Sequence, residues 1–415
     1  MKDWVFSSVL SLGAAVSGAV SNRGDNARTM STKQNLAVAP NEFKGEPFSF
    51  WNEPAVIALN DFKYKSLSNW SFNISVGCSH ACRFCYVPST STNKQAPRLK
   101  SYQVTDPDEQ WGEYSLLRPW REKDFLASLK KAEAIPRKGL KPDGNRAVMF
   151  CTTTDPYQVF KASTPEKTNL LNQSANALVR KALIAIRDQS TLNVRILTRG
   201  PLARLDFDLF KSFGNRLVFG MSLPTLRNDL SKIYEPKAPA PSQRLKTLQE
   251  AKKAGLHVYV AMAPTYPECD EADLRATLTA IKELDPITIF HEPINIRAEN
   301  VARIQAHARE LGVNVNTQVF ASKNAWRRYA VESLLMVQRL ATEMGMINHL
   351  HLWPDANLAT KSQFLSLRRS QRVGLTKRQV QLANEQDEKD YDEKYYPWLE
   401  GWWTRVSEWP GKNGS

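Results

Sequence analysis

The chain has 415 residues, 42% of them hydrophobic, so it can bury a core the size of one large α/β domain or of two smaller domains. The formal net charge of +14 favours polyanionic partners such as nucleic acid or anionic lipid. Five cysteines, an odd number with three clustered, exclude the disulfide framework of a small secreted domain and indicate a reducing compartment. We therefore predict a cytoplasmic protein without stable membrane insertion.

The N-terminal segment, residues 1–45, carries no clear structural pattern. Its apolar residues 4–20 follow Lys2 and resemble a signal peptide, but they are too short and too polar for a membrane span. Met30 begins a sequence typical of an ordinary cytosolic start. We expect the segment to be disordered or to reflect an upstream start codon, with export as the alternative.

Three cysteines directly follow a predicted strand at residues 71–77. Cys78, Cys82 and Cys85 have C-x3-C-x2-C spacing. Three thiolates on one tight loop can each bind one iron of a cubane and leave the fourth iron open for a small molecule. A zinc or disulfide knuckle is the alternative, although no second cysteine pair lies nearby to complete four zinc ligands. His80 could in principle be a fourth ligand, but on so short a loop we expect its ring to point outward.

Beyond the cysteines, apolar runs alternate with amphipathic segments. Residues 87–145 are long and irregular apart from one predicted helix at 123–134, and we expect them to form part of a substrate mouth. The later pattern predicts strands at 147–151, 192–198, 217–222, 257–263, 287–290 and 313–319, with helices at 169–186, 205–213, 242–254, 271–284 and 301–311. Helical crossovers indicate parallel neighbouring strands. Five or six such units predict an α/β fold with an incomplete (β/α)6 TIM-like barrel, and a closed eight-unit barrel is the alternative.

The last part of the chain differs from this alternation. Residues 324–344 predict an amphipathic helix, residues 368–378 carry five basic side chains and no acid, and residues 395–409 are rich in aromatics. The basic stretch is either a solvated helix face or a nucleic-acid contact, and we expect the aromatic tail to dock on the core. We therefore predict a core domain at 46–320 and a mainly helical C-terminal extension at 321–415.

The cysteine spacing, with Phe84 directly before the third cysteine, resembles the cluster loop of the radical S-adenosylmethionine (SAM) enzymes. Residues 151–158, 197–199, 222–225 and 235–245 are similar to its spore photoproduct lyase-like branch, whose members are often labelled DNA repair photolyases. The resemblance implies a barrel that holds a [4Fe-4S] cluster and SAM at the C-terminal ends of its strands. It also implies reductive cleavage of SAM to a 5′-deoxyadenosyl radical and an electron donor of the flavodoxin or ferredoxin type. Nucleic acid is a candidate substrate, and a small metabolite, a peptide or an RNA nucleotide are the alternatives.

The resemblance further implies roles for individual residues. Cys78, Cys82 and Cys85 would hold the cluster. The positions implied to contact SAM are Phe84, Thr153, Thr154, Arg199 and Ser222. Arg199 stands where the family often has lysine, and a guanidinium can hold a carboxylate through two hydrogen bonds.

Two residues are candidates for hydrogen transfer. Cys151 could donate a hydrogen atom from its thiol and Tyr86 could relay it, whereas the alternative for Cys151 is a small buried strand cysteine. For Glu235 and Arg244, which also match the branch, the alternative to a functional role is an ion pair that orients their loop. A second hypothesis for the whole chain is a non-catalytic, metal-containing nucleic-acid-binding protein.

Overall fold

The structure, a computed structural model, describes residues 43, 45–60, 67–140, 144–355, 358, 378, 379, 381, 382 and 385. These residues all belong to the unit Pro40–Ser415. The predicted N-terminal segment, the basic stretch and the aromatic tail lie almost entirely outside the described residues. Within the described part, no helix combines the length and the apolar character needed to cross a bilayer.

The described residues form the following elements. The strands are β1 (Phe48–Phe50), β2 (Ile57–Leu59), β3 (Trp70–Phe72), β4 (Ser75–Gly77), β5 (Ser115–Leu117), β6 (Ala147–Phe150), β7 (Asn193–Thr198), β8 (Leu217–Ser222), β9 (Val258–Thr265), β10 (Thr288–Pro293) and β11 (Leu350–Leu352). The α-helices are α1 (Ala96–Leu99), α2 (Glu122–Glu133), α3 (Pro165–Gln189), α4 (Phe207–Lys211), α5 (Asn228–Tyr234), α6 (Pro241–Lys253), α7 (Glu271–Lys282), α8 (Asn300–Glu310) and α9 (Lys323–Glu343).

One large sheet carries most of the fold, in the order β11-β10-β9-β8-β7-β6-β3-β2. From β3 to β11 all neighbours run parallel, and β2 joins antiparallel at the edge. Helices fill the crossovers from β6 onward, because parallel neighbours need a connection across one face. The predicted incomplete α/β barrel is confirmed, and the short strand β11 extends it beyond six parallel strands.

The predicted strand at 313–319 is wrong. Residues Thr317–Phe320 form a short 3₁₀ helix, and Val313 is exposed. Valine and asparagine alternate here with the two-residue period of a strand, but the segment lies at the surface, and β11 is the strand that pairs with β10.

The predicted helix at 324–344 is confirmed as α9. Its Trp326 donates the indole N–H to the carbonyl of Ile294 (3.1 Å). The predicted domain boundaries stay predictions.

The predicted strand at 71–77 is interrupted at Asn73. The part before this residue, β3, belongs to the large sheet, whereas β4 belongs to a small sheet of order β1-β5-β4. The Oδ1 atom of Asn73 accepts hydrogen bonds from the amides of Thr152 (2.9 Å) and Thr153 (3.0 Å), and its Nδ2 atom donates to the Thr152 hydroxyl (3.2 Å). The side chain thus pairs backbone groups beyond β6 while its own strand departs, which carries the cysteine loop over the end of the large sheet.

Two groups of buried side chains support this arrangement. One joins strands of the large sheet and comprises Leu67, Met149, Val218, Tyr259, Phe290 and Trp353. The other lies behind the cysteine loop and comprises Trp51, Val76, Cys78, Val87, Leu99, Val104, Trp111, Tyr114 and Leu116. Several members of the second group come from the irregular segment 87–145, so buried residues of that segment form the support of the cysteine loop.

We predict that Asn73→Leu lowers the free energy of unfolding by about 1–3 kcal/mol, because two backbone amides lose their acceptor. Asn73→Asp keeps the acceptor oxygen and loses only the donor, so its loss should be smaller. Urea-induced unfolding of both variants measures the difference. Equal stability of Asn73→Leu and the unchanged protein would contradict this role of the side chain.

Candidate active site

The three clustered cysteines lie in the loop that follows β4. Cys78 and Cys82 are each 8% exposed and Cys85 is partly exposed, and all five cysteines of the chain are free thiols. Burial raises the pKa of all three thiols, to about 12 for Cys82. Thiolates at these positions therefore need a positive partner such as a metal centre. The predicted disulfide alternative is not present among these cysteines.

Gly112 shapes the backbone of the loop from behind. Ala81 adopts a left-handed conformation (φ 56°) against Gly112, which itself has a φ of 94°. A Cβ atom on Gly112 would lie 2.2 Å from the Cβ atom of Ala81, so only glycine fits. The path of the chain between Cys78 and Cys82 thus depends on a residue in the irregular segment.

Residues that follow β6 hold the loop from the side of the large sheet. Gln158 accepts a hydrogen bond from the Ser79 amide (2.7 Å) and donates to the hydroxyls of Ser75 (3.0 Å) and Thr154 (2.6 Å). The Thr154 hydroxyl donates to the carbonyl of Gly77 (2.9 Å). The hydroxyl of Thr154 is therefore engaged in fixing the start of the loop.

Asp155 joins the ends of β6 and β7 beneath the loop. Its carboxylate accepts hydrogen bonds from the Thr198 hydroxyl (2.6 Å), the Arg199 amide (2.7 Å) and the Tyr157 amide (2.8 Å). His80 lies with Nδ1 3.5 Å from the same carboxylate and is 5% exposed. The expectation that His80 points outward is wrong, because the ring turns inward towards this carboxylate. Burial lowers the pKa of His80, which favours the neutral imidazole.

A buried ion cluster lies beside Cys82. The carboxylate of Glu235 contacts Nε of Arg199 (2.5 Å) and Nη1 of Arg244 (2.5 Å). Burial alone would raise the pKa of Glu235, but the two guanidinium groups hold it at about 2. The predicted ion pair between Glu235 and Arg244 is confirmed, and the structure adds Arg199 to it. Arg199 also lies over the ring of Phe84, with 5.7 Å between guanidinium carbon and ring centroid.

The first turn of α8 forms hydrogen bonds with the C-terminal end of the cysteine loop. Asn300 donates to the carbonyls of Phe84 (3.1 Å) and Asn295 (2.8 Å). Arg303 donates to the carbonyl of Cys85 and forms an ion pair with Asp108. Burial raises the pKa of the Cys85 thiol, and the Arg303 guanidinium opposes that increase. The predicted helix at 301–311 includes Arg303 but not Asn300, and no local signal links either residue to cysteines more than 200 residues earlier.

The remaining candidate residues lie at or beside the strand ends. Thr153, partly buried, follows β6, and Ser222 ends β8 with its hydroxyl donating to the Ala263 carbonyl (3.1 Å). Cys151 directly follows β6 and is 6% exposed, and burial raises the pKa of its thiol. Tyr86 is partly buried; its pKa is raised by burial and further by Cys85 and Glu292. The structure thus places Cys151, Thr153 and Ser222 at strand ends and Tyr86 beside Cys85, without assigning a role to any of them.

The donor set fits an iron–sulfur cluster. Within the described ranges, no three His, Cys, Asp or Glu side chains converge on the position of a single metal ion. A [4Fe-4S] cluster does not require such convergence, because each cysteine binds a different iron, whereas a structural zinc ion needs four ligands around one point. The buried guanidinium groups near Cys82 and Cys85 also suit an anionic group held by three thiolates.

Comparisons with known proteins identify a family and several relatives of the chain. The family model of the radical SAM superfamily matches residues 72–281. An uncharacterized protein of Acidianus two-tailed virus is 30% identical over 248 residues, which cover 58% of this chain and 73% of that protein. An uncharacterized protein of Methanocaldococcus jannaschii is 22% identical over 274 residues, which cover 66% of this chain and 87% of that protein.

Solved structures show a likeness of fold. A mutant of spore photoproduct lyase matches with a TM-score of 0.51 and 12% identity, covering 74% of this chain and 81% of that chain. The same lyase complexed with dinucleoside spore photoproduct matches with a TM-score of 0.50, also at 12% identity and with the same coverage. At this identity the match concerns the arrangement of strands and helices.

We predict that Gly112→Ala destabilises the protein by more than Gly214→Ala does. Both glycines have positive φ angles, but a Cβ atom on Gly214 meets nothing within 4 Å. Gly214→Ala should therefore cost only about 1 kcal/mol for its backbone conformation, and Gly112→Ala should add about 1–3 kcal/mol for the collision with Ala81. Chemical denaturation measures the stabilities; equal losses in the two variants would show that the loop accommodates a methyl group.

We predict that Glu235→Gln lowers the free energy of unfolding by about 3–5 kcal/mol at neutral pH, because the buried guanidinium group of Arg244 and the partly buried one of Arg199 lose their carboxylate. The pKa of Glu235 falls from 4.5 to about 2 on folding, so its contribution is present above pH 4.5 and is lost as the pH falls towards 2. The stability difference between Glu235→Gln and the unchanged protein should shrink across that range.

Acid titration of the unfolding free energy tests this dependence. Glu332→Gln, which removes an exposed carboxylate on α9, is the matched control and should change stability by less than about 0.5 kcal/mol. A difference for Glu235→Gln that is independent of pH between 4.5 and 2 would contradict the assignment.

Proposed function

The chain belongs to the radical SAM superfamily, and on this premise we propose that it binds a [4Fe-4S] cluster through Cys78, Cys82 and Cys85 and cleaves SAM reductively. The observation that carries the proposal is the loop after β4, in which three free cysteines stand with buried guanidinium groups nearby. When bound, the cluster would pass one electron to SAM and yield methionine and a 5′-deoxyadenosyl radical that abstracts a substrate hydrogen.

The chain's own part begins with exclusion of water. Cys78 and Cys82 are buried, and the side chains behind them close the loop from one side. Arg199 and Arg244 lie near Cys82, and Glu235 offsets one of their two positive charges. These three side chains together carry one net positive charge, which can stabilise anionic sulfur in a poorly solvated place.

We propose that SAM is held between the loop and the ends of β6, β7 and β8. Arg199 binds Glu235 through Nε, and its terminal nitrogens have no hydrogen-bond partner among the described residues, so they can hold the carboxylate of SAM. Thr153 is the better of the two threonine candidates for the SAM amino group, since the Thr154 hydroxyl is engaged with the loop. Phe84 and Ser222 complete the proposed set.

The substrate step is proposed to use the same end of the barrel. Cys151 lies at the end of β6, where a thiol could give a hydrogen atom to a substrate radical, and Tyr86 lies near Cys85 and Glu292. The formal net charge of +14 supports nucleic acid as a candidate substrate. The electron donor of the flavodoxin or ferredoxin type and the cytoplasmic location stay predictions.

We predict that the anaerobically reconstituted protein releases 5′-deoxyadenosine from SAM when dithionite is added. Cys82→Ala removes one cluster ligand and should abolish this release, with loss of the absorbance near 400 nm that marks the cluster. Cys269→Ala removes a cysteine outside the loop and should retain both signals. Quantitative chromatography of the nucleoside and measurement of iron per chain provide the readouts.

A reconstituted protein that holds four irons per chain and accepts dithionite electrons, yet releases no 5′-deoxyadenosine, would contradict the proposed activity. If the protein instead binds nucleic acid with a steep salt dependence that survives Cys82→Ala, the non-catalytic hypothesis is favoured.

A further inference from the structure

Arg303 occupies an unusual place for a charged side chain. It is 8% exposed and lies on the first turn of α8, far along the sequence from the cysteine loop. Its Nη2 atom donates to the Cys85 carbonyl, and its Nη1 atom contacts the carboxylate of Asp108 and the hydroxyl of Ser89 (3.4 Å). Burial of a guanidinium group is costly, so contacts of this kind indicate that the charge serves the loop beside it.

One N–H group of Arg303 has no hydrogen-bond acceptor among the described residues. This group is the N–H of the Nε atom, which is buried. A buried donor without an acceptor is unfavourable, and the sulfur atoms of a metal cluster accept such donors. The guanidinium group is thus only partly satisfied by the protein atoms that surround it.

We propose that Arg303 is a positioning residue that sets the reduction potential of the cluster held by Cys85. The inference rests on the proposed function. When one electron from dithionite reduces a [4Fe-4S] cluster from the 2+ to the 1+ state, the centre gains one negative charge and no protein bond forms or breaks. A nearby positive charge stabilises the reduced form more than the oxidised form and raises the potential.

The negative charge of Asp108 offsets part of the increase in reduction potential that Arg303 causes. Its carboxylate is paired with Arg303 and accepts a hydrogen bond from the Ser89 hydroxyl (2.6 Å). Removing Arg303 therefore withdraws a positive charge and also leaves a negative charge without its partner. Removing the Asp108 charge alone should have the opposite sign.

Asn300 provides a matched neutral control. It lies on the same turn of α8, is 1% exposed, and donates to the carbonyl of Phe84, the residue next to Cys85. Asn300→Ala and Arg303→Gln both remove a hydrogen bond to the loop backbone, but only Arg303→Gln changes the charge. The pair separates the electrostatic effect of Arg303 from its effect on loop structure.

The experiment is a redox titration of the reconstituted protein without SAM, followed by electron paramagnetic resonance. We expect Arg303→Gln to lower the one-electron equilibrium constant for reduction at least tenfold, which corresponds to about 59 mV. Arg303→Lys keeps the charge and should stay close to the unchanged protein. Asp108→Asn should raise the midpoint potential, and Asn300→Ala should leave it within the error of the measurement.

Equal shifts in Arg303→Gln and Asn300→Ala, or no shift in Arg303→Gln, would overturn the inference. If Arg303→Gln fails to hold a cluster, Arg303→Lys and Asp108→Asn still decide, since the inference requires a near-normal potential in the first and a raised potential in the second. Failure of the unchanged protein to bind a cluster would instead overturn the proposed function on which the inference rests.

Discussion

Three thiols in a place largely shielded from water, which must become thiolates to hold the proposed cluster, set the main constraint on this structure. Burial opposes their ionisation, so the surrounding protein has to supply positive charge and hydrogen-bond donors. Arg199 and Arg244 do so near Cys82, and Arg303 does so near Cys85. The carboxylates of Glu235 and Asp108 keep these guanidinium groups paired within the protein.

Polar side chains near the strand ends of the large sheet hold the cysteine loop in place. Asn73 lets the chain leave the large sheet, and Gln158 and Asp155 bind the loop and the next strand end from beneath. These polar side chains follow the carboxyl ends of parallel strands, where backbone pairing stops and ligand sites of such sheets commonly form. Hydrogen bonds at these strand ends therefore also hold the start of the cysteine loop.

Much of the strand order and the position of the cysteine loop could be predicted from local sequence patterns. The strand at 217–222 has the predicted bounds, and the cysteine loop follows from the spacing of three residues. Asn73, Gly112 and Arg303 could not be identified in this way, because each acts through contacts with residues 31 to 218 positions away. The inward orientation of His80 could not be predicted for a related reason, since the carboxylate of Asp155 that its ring faces lies 75 positions later. Hydrophobic periodicity indicates which face of a helix or strand is buried, but it does not indicate which distant residues that face contacts.

The hydrogen bonds between α8 and the cysteine loop have a consequence for biosynthesis. The amide of Asn300 reaches a carbonyl 216 positions earlier, and the guanidinium group of Arg303 reaches one 218 positions earlier. During translation the cysteines leave the ribosome long before either residue has been made. Iron and sulfide of the proposed cluster, if delivered before α8 has been made, would meet a loop that still lacks its hydrogen bonds from Asn300 and Arg303.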